Sequence, residues 1–304
     1  MKIIFLGTPD FAIPSLEAIH ESHHEIVLVV TQPDRARNRG VVTPCPVKQR
    51  AMELGLEVVS FDKIRQHVEY LREYQADCMV TCAYGQILSQ DILDMTRVGV
   101  LNVHGSLLPK YRGSSPIQWC LINGEQETGV TIMRTSLGVD SGDIFIARST
   151  PISTSDNAET LMSRLSHIGA ELIVEALDMI ERGEGTFTPQ DEERSTHYPM
   201  LTKDMGRIDW TKTSDQIVNL YRGLSPWPGL YSTLGDITFK LFDFEIVEGS
   251  GECGQVLFAD TVIGIVIATK DGAVRVNLQV PGGKKMDSRD YLRGHSIEIG
   301  SIFE

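Results

Sequence analysis

Short apolar runs alternate with helical segments through the first half of the sequence. Four runs rich in β-branched residues cover Lys2 to Leu6, Glu25 to Thr31, Asp77 to Ala83 and Gly99 to Val103. Segments with helical spacing lie between them, at Phe11 to Ser22, Val47 to Leu54 and Ile64 to Tyr74. Continuously apolar strands that alternate with helices are typical of a mostly parallel sheet covered on both faces. The pattern therefore predicts an α/β domain with a Rossmann-like sheet.

The pattern changes near residue 185. Strand-like runs at Val130 to Arg134 and Ile144 to Ala147, and a long amphipathic segment after the capping candidates Ser155 and Asp156, complete a first domain at residues 1–185. Residues 186–206 are polar without an apolar period, which indicates a linker. Residues 207–304 combine one helical segment with several short strand-like runs and Gly and Asp turns, which favours a small β-barrel of OB type or a sandwich.

Length, charge and cysteine usage restrict the class of protein. The 304 residues suffice for two domains with their own cores. The net charge of −13 disfavours indiscriminate nucleic-acid binding, so a nucleic-acid partner would need a local basic patch. Five cysteines without a CxxC pair argue against a disulfide framework and a zinc site, and we predict no metal site. Without a signal peptide or a membrane-length apolar run, we expect a cytoplasmic protein with no membrane partner.

Two polar side chains stand at the end of the fourth predicted strand. Asn102 and His104 are separated by one residue, so on a strand they face the same side. In open α/β sheets the carboxyl ends of the strands bind ligands, and two donors there can hold one carbonyl oxygen between them. Taken alone, the pair is more simply explained as a hydrogen-bonded polar plug at a sheet edge.

An acidic residue between glycines follows further along the chain. Asp140 lies in the segment Leu137-Gly138-Val139-Asp140-Ser141-Gly142-Asp143, just before another predicted strand. Such a loop bends sharply or lets a ligand approach its backbone, and Asp140 could then orient His104. Asp143 is the competing acid, and an ordinary turn rich in Asp and Gly is the alternative.

Together, these and further motifs resemble the formyltetrahydrofolate-dependent formyltransferases. The central motifs are Asn102-Val103-His104, Ser106 to Pro109, Tyr111-Arg112-Gly113, Pro116-Ile117-Gln118, Glu127 to Met133 and Asp140 to Asp143. Supporting stretches are Gly7 to Phe11, Thr31 to Arg35, Ala83 to Leu88, Arg207 to Trp210 and Pro226 to Pro228. The resemblance extends over essentially the whole chain, and it implies the formyltransferase fold. It also implies 10-formyltetrahydrofolate as formyl donor and the α-amino group of a methionyl initiator tRNA as acceptor. We expect a monomer.

The resemblance assigns the catalytic role to Asn102, His104 and Asp140. A neutral α-amino group is already a nucleophile, so such an enzyme must mainly stabilise the oxyanion formed at the formyl carbon. Asn102 and His104 would donate to that oxyanion, and Asp140 would set the protonation of the imidazole and move the proton. For the folate site the resemblance implies the following residues: Ser106, Leu107, Leu108, Pro109, Tyr84, Gln86, Ile87, Leu88 and Val139.

A local basic patch suits a tRNA acceptor. Between Asp34 and Met52 five basic residues outnumber one acid, and they include Arg35, Arg37 and Arg39. By itself such a run is usually a solvated face. In the light of the resemblance it looks like the loop that contacts the tRNA acceptor end, with Arg39 as the best candidate for a phosphate or base contact.

The sequence departs from the family pattern in this part. Val41 and Val42 stand where family members often carry lysines, and residues 207–304 hold 10 basic against 13 acidic residues. Any basic face of the second domain must therefore be local, with Lys284 and Lys285 as its main candidates. Weak, salt-sensitive tRNA affinity is expected.

Other functions share parts of this pattern. An N-formyltransferase acting on an amino-sugar nucleotide could use the same three catalytic residues but would not need the basic loop. A formyltetrahydrofolate hydrolase could serve a water nucleophile with them and would not need a tRNA-binding domain. A dinucleotide-binding oxidoreductase has little support, because Gly7-Thr8-Pro9-Asp10 lacks GxGxxG. A non-catalytic RNA-binding module would leave Asn102, His104 and Asp140 unexplained.

Overall fold

The computed structural model describes residues 1–37 and 41–304, with only the backbone for 35–37, 41 and 42. The chain forms two compact units. The first comprises Met1–Pro116, Glu127–Pro151 and Met162–Tyr198, and the second comprises Ile117–Gln126, Ile152–Leu161 and Pro199–Glu304.

Strands and helices alternate along the first unit and give way to strands in the second. The strands are β1 (Lys2–Gly7), β2 (Glu25–Thr31), β3 (Arg35–Arg37), β4 (Val41–Thr43), β5 (Val58–Ser60), β6 (Cys78–Cys82), β7 (Val100–His104), β8 (Arg112–Gly113), β9 (Glu127–Arg134), β10 (Ile144–Pro151), β11 (His197–Tyr198), β12 (Leu230–Leu234), β13 (Ile237–Val247), β14 (Val256–Asp260), β15 (Gly264–Ala268) and β16 (Ala273–Gln279). The α-helices are α1 (Ile13–Glu21), α2 (Pro46–Glu53), α3 (Val68–Arg72), α4 (Gln90–Leu93), α5 (Pro116–Ile122), α6 (Ala158–Glu181), α7 (Ser214–Leu224) and α8 (Ser288–Tyr291).

A seven-stranded sheet forms the centre of the first unit. Its order is β10-β9-β7-β6-β1-β2-β5. The strands from β7 to β5 in this order run parallel, and β9 and β10 are antiparallel additions at one edge. Every residue of β6 is buried, and so is every residue of β1 after Lys2, as expected for strands covered on both faces. The predicted mostly parallel sheet is confirmed.

The amphipathic helix α6 begins at a different cap from either predicted candidate. The side-chain oxygen of Asn157 accepts hydrogen bonds from the backbone N–H groups of Glu159 (2.9 Å) and Thr160 (3.0 Å). Asp156 instead accepts from the backbone of Ser153, on the amino-terminal side. The capping pattern in the sequence thus located the start of the helix to within a few residues.

Residues 186–198, within the segment predicted to be a linker, have defined structure in the first unit. Strand β11 pairs in parallel with β8. Further along, Thr188 and Ile144 exchange backbone hydrogen bonds of 2.8 Å in both directions. Backbone and polar groups make most of these contacts, so hydrophobic periodicity does not reveal them.

The second unit contains a five-stranded antiparallel sheet in the order β12-β13-β16-β15-β14. The last residues of the chain bond to both edge strands: Val256 of β14 donates to the carbonyl of Ser301, and Thr233 of β12 exchanges two hydrogen bonds with Glu304. This segment thus pairs part of each edge strand, which partly closes the sheet as in a barrel. The predicted strand-rich second domain is confirmed, and its core contains Trp210, Phe239 and Phe303.

Among the described residues, none of the helices combines the length and the apolar character needed to cross a bilayer.

Candidate active site

Strand β7 places Asn102 and His104 at the carboxyl edge of the parallel part of the sheet. It lies between β6 and β9, and His104 is its last residue. Asn102 is half-buried, and in the described part of the chain no hydrogen bond engages its side-chain amide. The amide is therefore a donor that remains for a bound molecule.

The ring of His104 is oriented by a backbone carbonyl. His104 is buried, and its Nε2 atom lies 3.0 Å from the carbonyl oxygen of Tyr111. A carbonyl oxygen only accepts hydrogen bonds, so Nε2 must carry a hydrogen. The remaining nitrogen, Nδ1, can therefore donate to a substrate only when the ring is a cationic imidazolium.

Asp140 lies beside this second nitrogen. Its Oδ2 atom is 3.8 Å from His104 Nδ1 and accepts a hydrogen bond of 2.8 Å from the backbone N–H of Gly113. Asp140 has φ of +48°, an uncommon conformation for a residue with a side chain. The carboxylate thus faces the ring nitrogen that the Tyr111 carbonyl does not engage.

The backbone approaches closely around Asp140. Gly113 has φ of +111°, and a Cβ atom there would collide with the carbonyl oxygen of Tyr198. At Gly142, a Cβ atom would collide with the carbonyl oxygen of Arg134. Two of the glycines that flank the site are thus required by packing, and the one at 113 also by its conformation.

Residues that the sequence analysis did not single out support the site. Thr131 is fully buried on β9, opposite His104. Its hydroxyl donates to Ser106 O (2.7 Å) and accepts from Leu108 N (3.1 Å), which fixes the loop after β7.

Arg112 is buried and bonds to Gln190 and Glu192. The Arg112 guanidinium lowers the pKa of the exposed Glu192 carboxyl. Thr131 lies in a motif of the resemblance, whereas no motif marks Gln190.

The residues predicted for the folate site differ in accessibility. Ile87 and Val139 expose apolar side chains, whereas Tyr84 and Leu88 pack in a hydrophobic core cluster of the first unit. Gln86 accepts from Ile64 N and donates to Phe61 O, so its amide is engaged within the protein.

The loop after β7 is equally mixed. Ser106 is buried and donates to Lys110 O at 2.8 Å. Leu107 and Pro109 are half-buried, and Leu108 is buried. In both loops, at residues 83–88 and 106–109, the groups open to contact with a flat ligand are the backbone and a few accessible apolar side chains.

The predicted basic loop contains two short strands that pair with each other. Arg35 and Arg37 belong to β3, which pairs antiparallel with β4, while Arg39 lies outside the described residues. At the base, Asp34 accepts from Lys48 Nζ (2.6 Å) and from Cys45 N (3.3 Å). This pairing engages Lys48 within the protein, and Arg50 is likewise bonded to Glu17 and Glu53.

The basic residues of the second unit are only partly neutralised. Lys284 and Lys285 are exposed, and within the described residues neither forms an ion pair, although Lys285 Nζ lies 5.1 Å from the centroid of the Phe242 ring. Nearby Arg289 and Arg293 pair with Asp287 and Asp290. Two lysines thus remain for an anionic partner in this region.

A histidine pair near the start of the chain has acidic partners that sequence spacing did not show. His23 Nε2 lies 2.6 Å from Glu181 Oε2, and His24 Nε2 lies 3.0 Å from Asp178 Oδ1. The Met1 ammonium lies 2.9 Å from Glu181 Oε1 and 3.2 Å from His24 Nδ1. The cluster joins the first residues of the chain to α6 by polar contacts.

Comparison with family models defines the class of protein. The model described as formyl transferase matches residues 1–177, and the model described as formyl transferase, C-terminal domain, matches residues 200–296. The chain thus has both domains of a formyltransferase.

Individual relatives narrow this class. The methionyl-tRNA formyltransferase of Agathobacter rectalis is 45% identical over 308 residues, covering 100% of this chain and 99% of the relative. That of Citrifermentans bemidjiense is 42% identical over 306 residues, covering 99% and 96%. The chain belongs to the methionyl-tRNA formyltransferase family. Among solved structures, the N-formyltransferase of Helicobacter canadensis, in complex with folinic acid and dTDP-3-aminofucose, has the same fold, with a TM-score of 0.68 at 19% identity over 94% of this chain and 100% of that one.

Proposed function

We propose that this protein transfers the formyl group of 10-formyltetrahydrofolate to the α-amino group of initiator methionyl-tRNA. The observation that carries the proposal is that Asn102, His104 and Asp140 lie together at one sheet edge. It is supported by relatives that match the full length of this chain and are methionyl-tRNA formyltransferases. The reaction takes place in the cytoplasm, where charged tRNA is used, and the protein acts as a monomer.

The first step is attack of the neutral amine on the formyl carbon. A carbon–nitrogen bond forms, and the carbonyl oxygen becomes an oxyanion. The Asn102 amide and the imidazolium of His104 donate to that oxygen, Asn102 through an amide that no described residue engages and His104 through Nδ1. Stabilisation of this kind contributes about 3 kcal/mol per donor to lowering the barrier.

The second step moves a proton from the attacking nitrogen to N10 of the folate and breaks the bond between N10 and the formyl carbon. The attacking nitrogen becomes positively charged and must lose a proton, and N10 of the folate must gain one before it leaves. Asp140 accepts the first proton, through a water molecule, and returns it to N10 as the tetrahedral intermediate collapses. The hydrogen bond from Gly113 N holds one carboxylate oxygen, which leaves the other to handle the proton.

The donor and acceptor are bound by different parts of the chain. The apolar side chains of Ile87 and Val139, with Leu107 and the backbone of residues 83–88 and 106–109, hold the pterin. Buried Tyr84, Leu88 and Ser106 and the engaged amide of Gln86 shape these loops from behind.

The basic loop between Asp34 and Met52 carries the contact with the tRNA acceptor end, through Arg35, Arg37 and Arg39. Lys284 and Lys285 add a second contact. In this proposal residues 1–185 form the catalytic domain, residues 186–198 pack into it, residues 199–206 lead to the next domain, and residues 207–304 assist tRNA binding.

A parallel acceptor assay tests the proposal. The protein is incubated with 10-formyltetrahydrofolate labelled in the formyl group and offered methionyl initiator tRNA, an amino-sugar nucleotide, or water alone. We expect the label in the methionyl-tRNA, and only traces in the other two. Faster labelling of the sugar nucleotide, or release of labelled formate at the same rate without any acceptor, would overturn the proposed acceptor.

A further inference from the structure

A single side chain holds the loop that carries Asp140. The Nε2 atom of Gln190 donates to the carbonyl oxygens of Asp140 (2.8 Å) and Gly142 (2.7 Å). An amide nitrogen has two hydrogens, so these two bonds use its whole donor capacity. The two residues are 50 positions apart in the chain, and Asp140 is the residue with φ of +48°.

The orientation of the Gln190 amide follows from its partners. Its Oε1 atom accepts from Arg112 Nε (3.0 Å) and Nη2 (2.8 Å). A guanidinium only donates and a carbonyl only accepts. A flipped amide would therefore place its oxygen against two carbonyl oxygens and its nitrogen against the guanidinium. Gln190 can therefore bridge Arg112 to the loop in one way only.

The other end of this bridge is fixed as well. Arg112 is only 2% exposed, and Glu192 binds its outer side with two hydrogen bonds of 2.9 and 2.7 Å. The backbone N–H of Arg112 donates to Thr196 O at 2.9 Å. The bridge thus runs from a buried cation, bonded to Glu192 on its outer side, to the loop.

Arg112 is also the neighbour of both groups that orient the catalytic pair. The preceding residue, Tyr111, offers the carbonyl that holds His104, and the following residue, Gly113, offers the N–H that holds the Asp140 carboxylate. One short segment therefore sets both partners, and Gln190 fixes the distance between that segment and the Asp140 loop.

We propose that Gln190 is a positioning residue for formyl transfer, which acts by holding the backbone of Asp140 so that its carboxylate faces His104. The inference rests on the proposed function. Without the bridge, two carbonyls and Arg112 lose partners, and the strained loop can relax away from the ring. Displacement of a catalytic group by about 1 Å can cost roughly 100-fold in rate.

The substitution Gln190→Glu tests this directly. It keeps the length and the acceptor for Arg112 but replaces the donor by an oxygen that faces two carbonyls. We expect kcat to fall roughly 10- to 100-fold, with the KM values for both substrates changed by less than about threefold. Gln190→Met, which neither donates nor accepts, is the second variant and should show the same split.

A double-mutant cycle separates positioning from general loss of structure. In an Asp140→Asn background, Gln190→Glu should change kcat by less than about twofold, because its effect passes through the Asp140 carboxylate. The matched control is Gln126→Glu, at an exposed glutamine whose amide donates to the backbone carbonyl of Gly124 outside the site, and it should leave kcat near that of the wild type.

Two results would overturn the inference. One is wild-type kcat in both Gln190 variants, and the other is the same fold-loss with and without the Asp140 carboxylate. Failure of the proposed function is distinguishable, since the wild-type protein would then not formylate methionyl-tRNA at all.

Discussion

The Nε2 atom of His104 lies 3.0 Å from the carbonyl oxygen of Tyr111, seven residues further along the chain. This contact commits one ring nitrogen to the protein and leaves Nδ1 for the substrate, 3.8 Å from Asp140 Oδ2. A neutral ring in this orientation has no hydrogen on Nδ1. Oxyanion stabilisation through Nδ1 therefore requires a hydrogen on that nitrogen in addition to the one on Nε2.

Removal of one oxyanion donor should slow chemistry more than it weakens binding. We expect Asn102→Ala to lower kcat by about 10²- to 10³-fold, because the oxyanion exists only in the transition state and the intermediate. Steady-state kinetics with both substrates give the comparison. A proportionate rise in KM for the formyl donor, with kcat intact, would instead make Asn102 a folate ligand.

A substitution in the basic loop should affect the KM for the tRNA and not the KM for the formyl donor. We expect Arg39→Ala to raise the KM for methionyl-tRNA and to reduce the slope of log affinity against log salt by about 1, as for one lost phosphate contact. The KM for the formyl donor should stay unchanged. Arg65→Ala, at an exposed arginine of the same unit, is the control. Equal effects of the two substitutions would contradict a role of the basic loop in tRNA binding.

Close packing at Gly113 should make it sensitive to a single methyl group. At Gly55 φ is +71° and the space that a Cβ atom would enter is open to 4 Å, so Gly55→Ala should cost only the conformational strain of about 1–2 kcal/mol. Gly113→Ala adds a collision with Tyr198 O and displaces the donor to Asp140. Urea unfolding should show a larger loss of stability than for Gly55→Ala, and activity should fall only at position 113.

Stability should decrease as pH falls below about 6.5 because of His24. Burial lowers the pKa of His24 from its ordinary value of 6.5, with the Met1 ammonium and His23 acting in the same direction, while Asp178 and Glu181 oppose them. Since the unfolded chain then binds the proton more tightly, this contribution is present above the unfolded pKa and lost below it.

Urea midpoints on either side of that pH measure the effect. His24→Gln should show a smaller drop on acidification than the wild type, whatever its own stability. His20→Gln, at an exposed histidine of α1 outside this cluster, should behave like the wild type. A wild-type drop that survives the substitution at position 24 would assign the pH dependence to other groups.

Parts of this structure could be predicted from sequence because their signals are local. Continuous apolar runs located β1, β2, β6 and β7, and alternation on a strand placed Asn102 and His104 on one side. Strand β5 was not predicted because three residues carry too little pattern, although Val58 pairs with Val29 in the sheet.

The supports of the site could not be found in this way. Gln190 contacts backbone carbonyls 48 and 50 residues away, and such partners leave no mark on the sequence. His24 and Asp178 are 154 residues apart, so spacing alone suggested no acidic neighbour for the histidines. Long-range polar contacts depend on the completed fold, whereas strands and motifs are patterns of residues that are close together in the sequence.

The most direct test of the proposed mechanism is single-turnover formyl transfer by Asp140→Asn, with labelled 10-formyltetrahydrofolate and methionyl initiator tRNA both saturating. The substitution keeps the size of the side chain and removes the charge beside His104 and the group that carries the proton. We predict that the rate of label appearance in the tRNA falls by about 100-fold or more, while the formyl donor still binds. Transfer at the wild-type rate would contradict the central claim that Asn102, His104 and Asp140 act together on the formyl group.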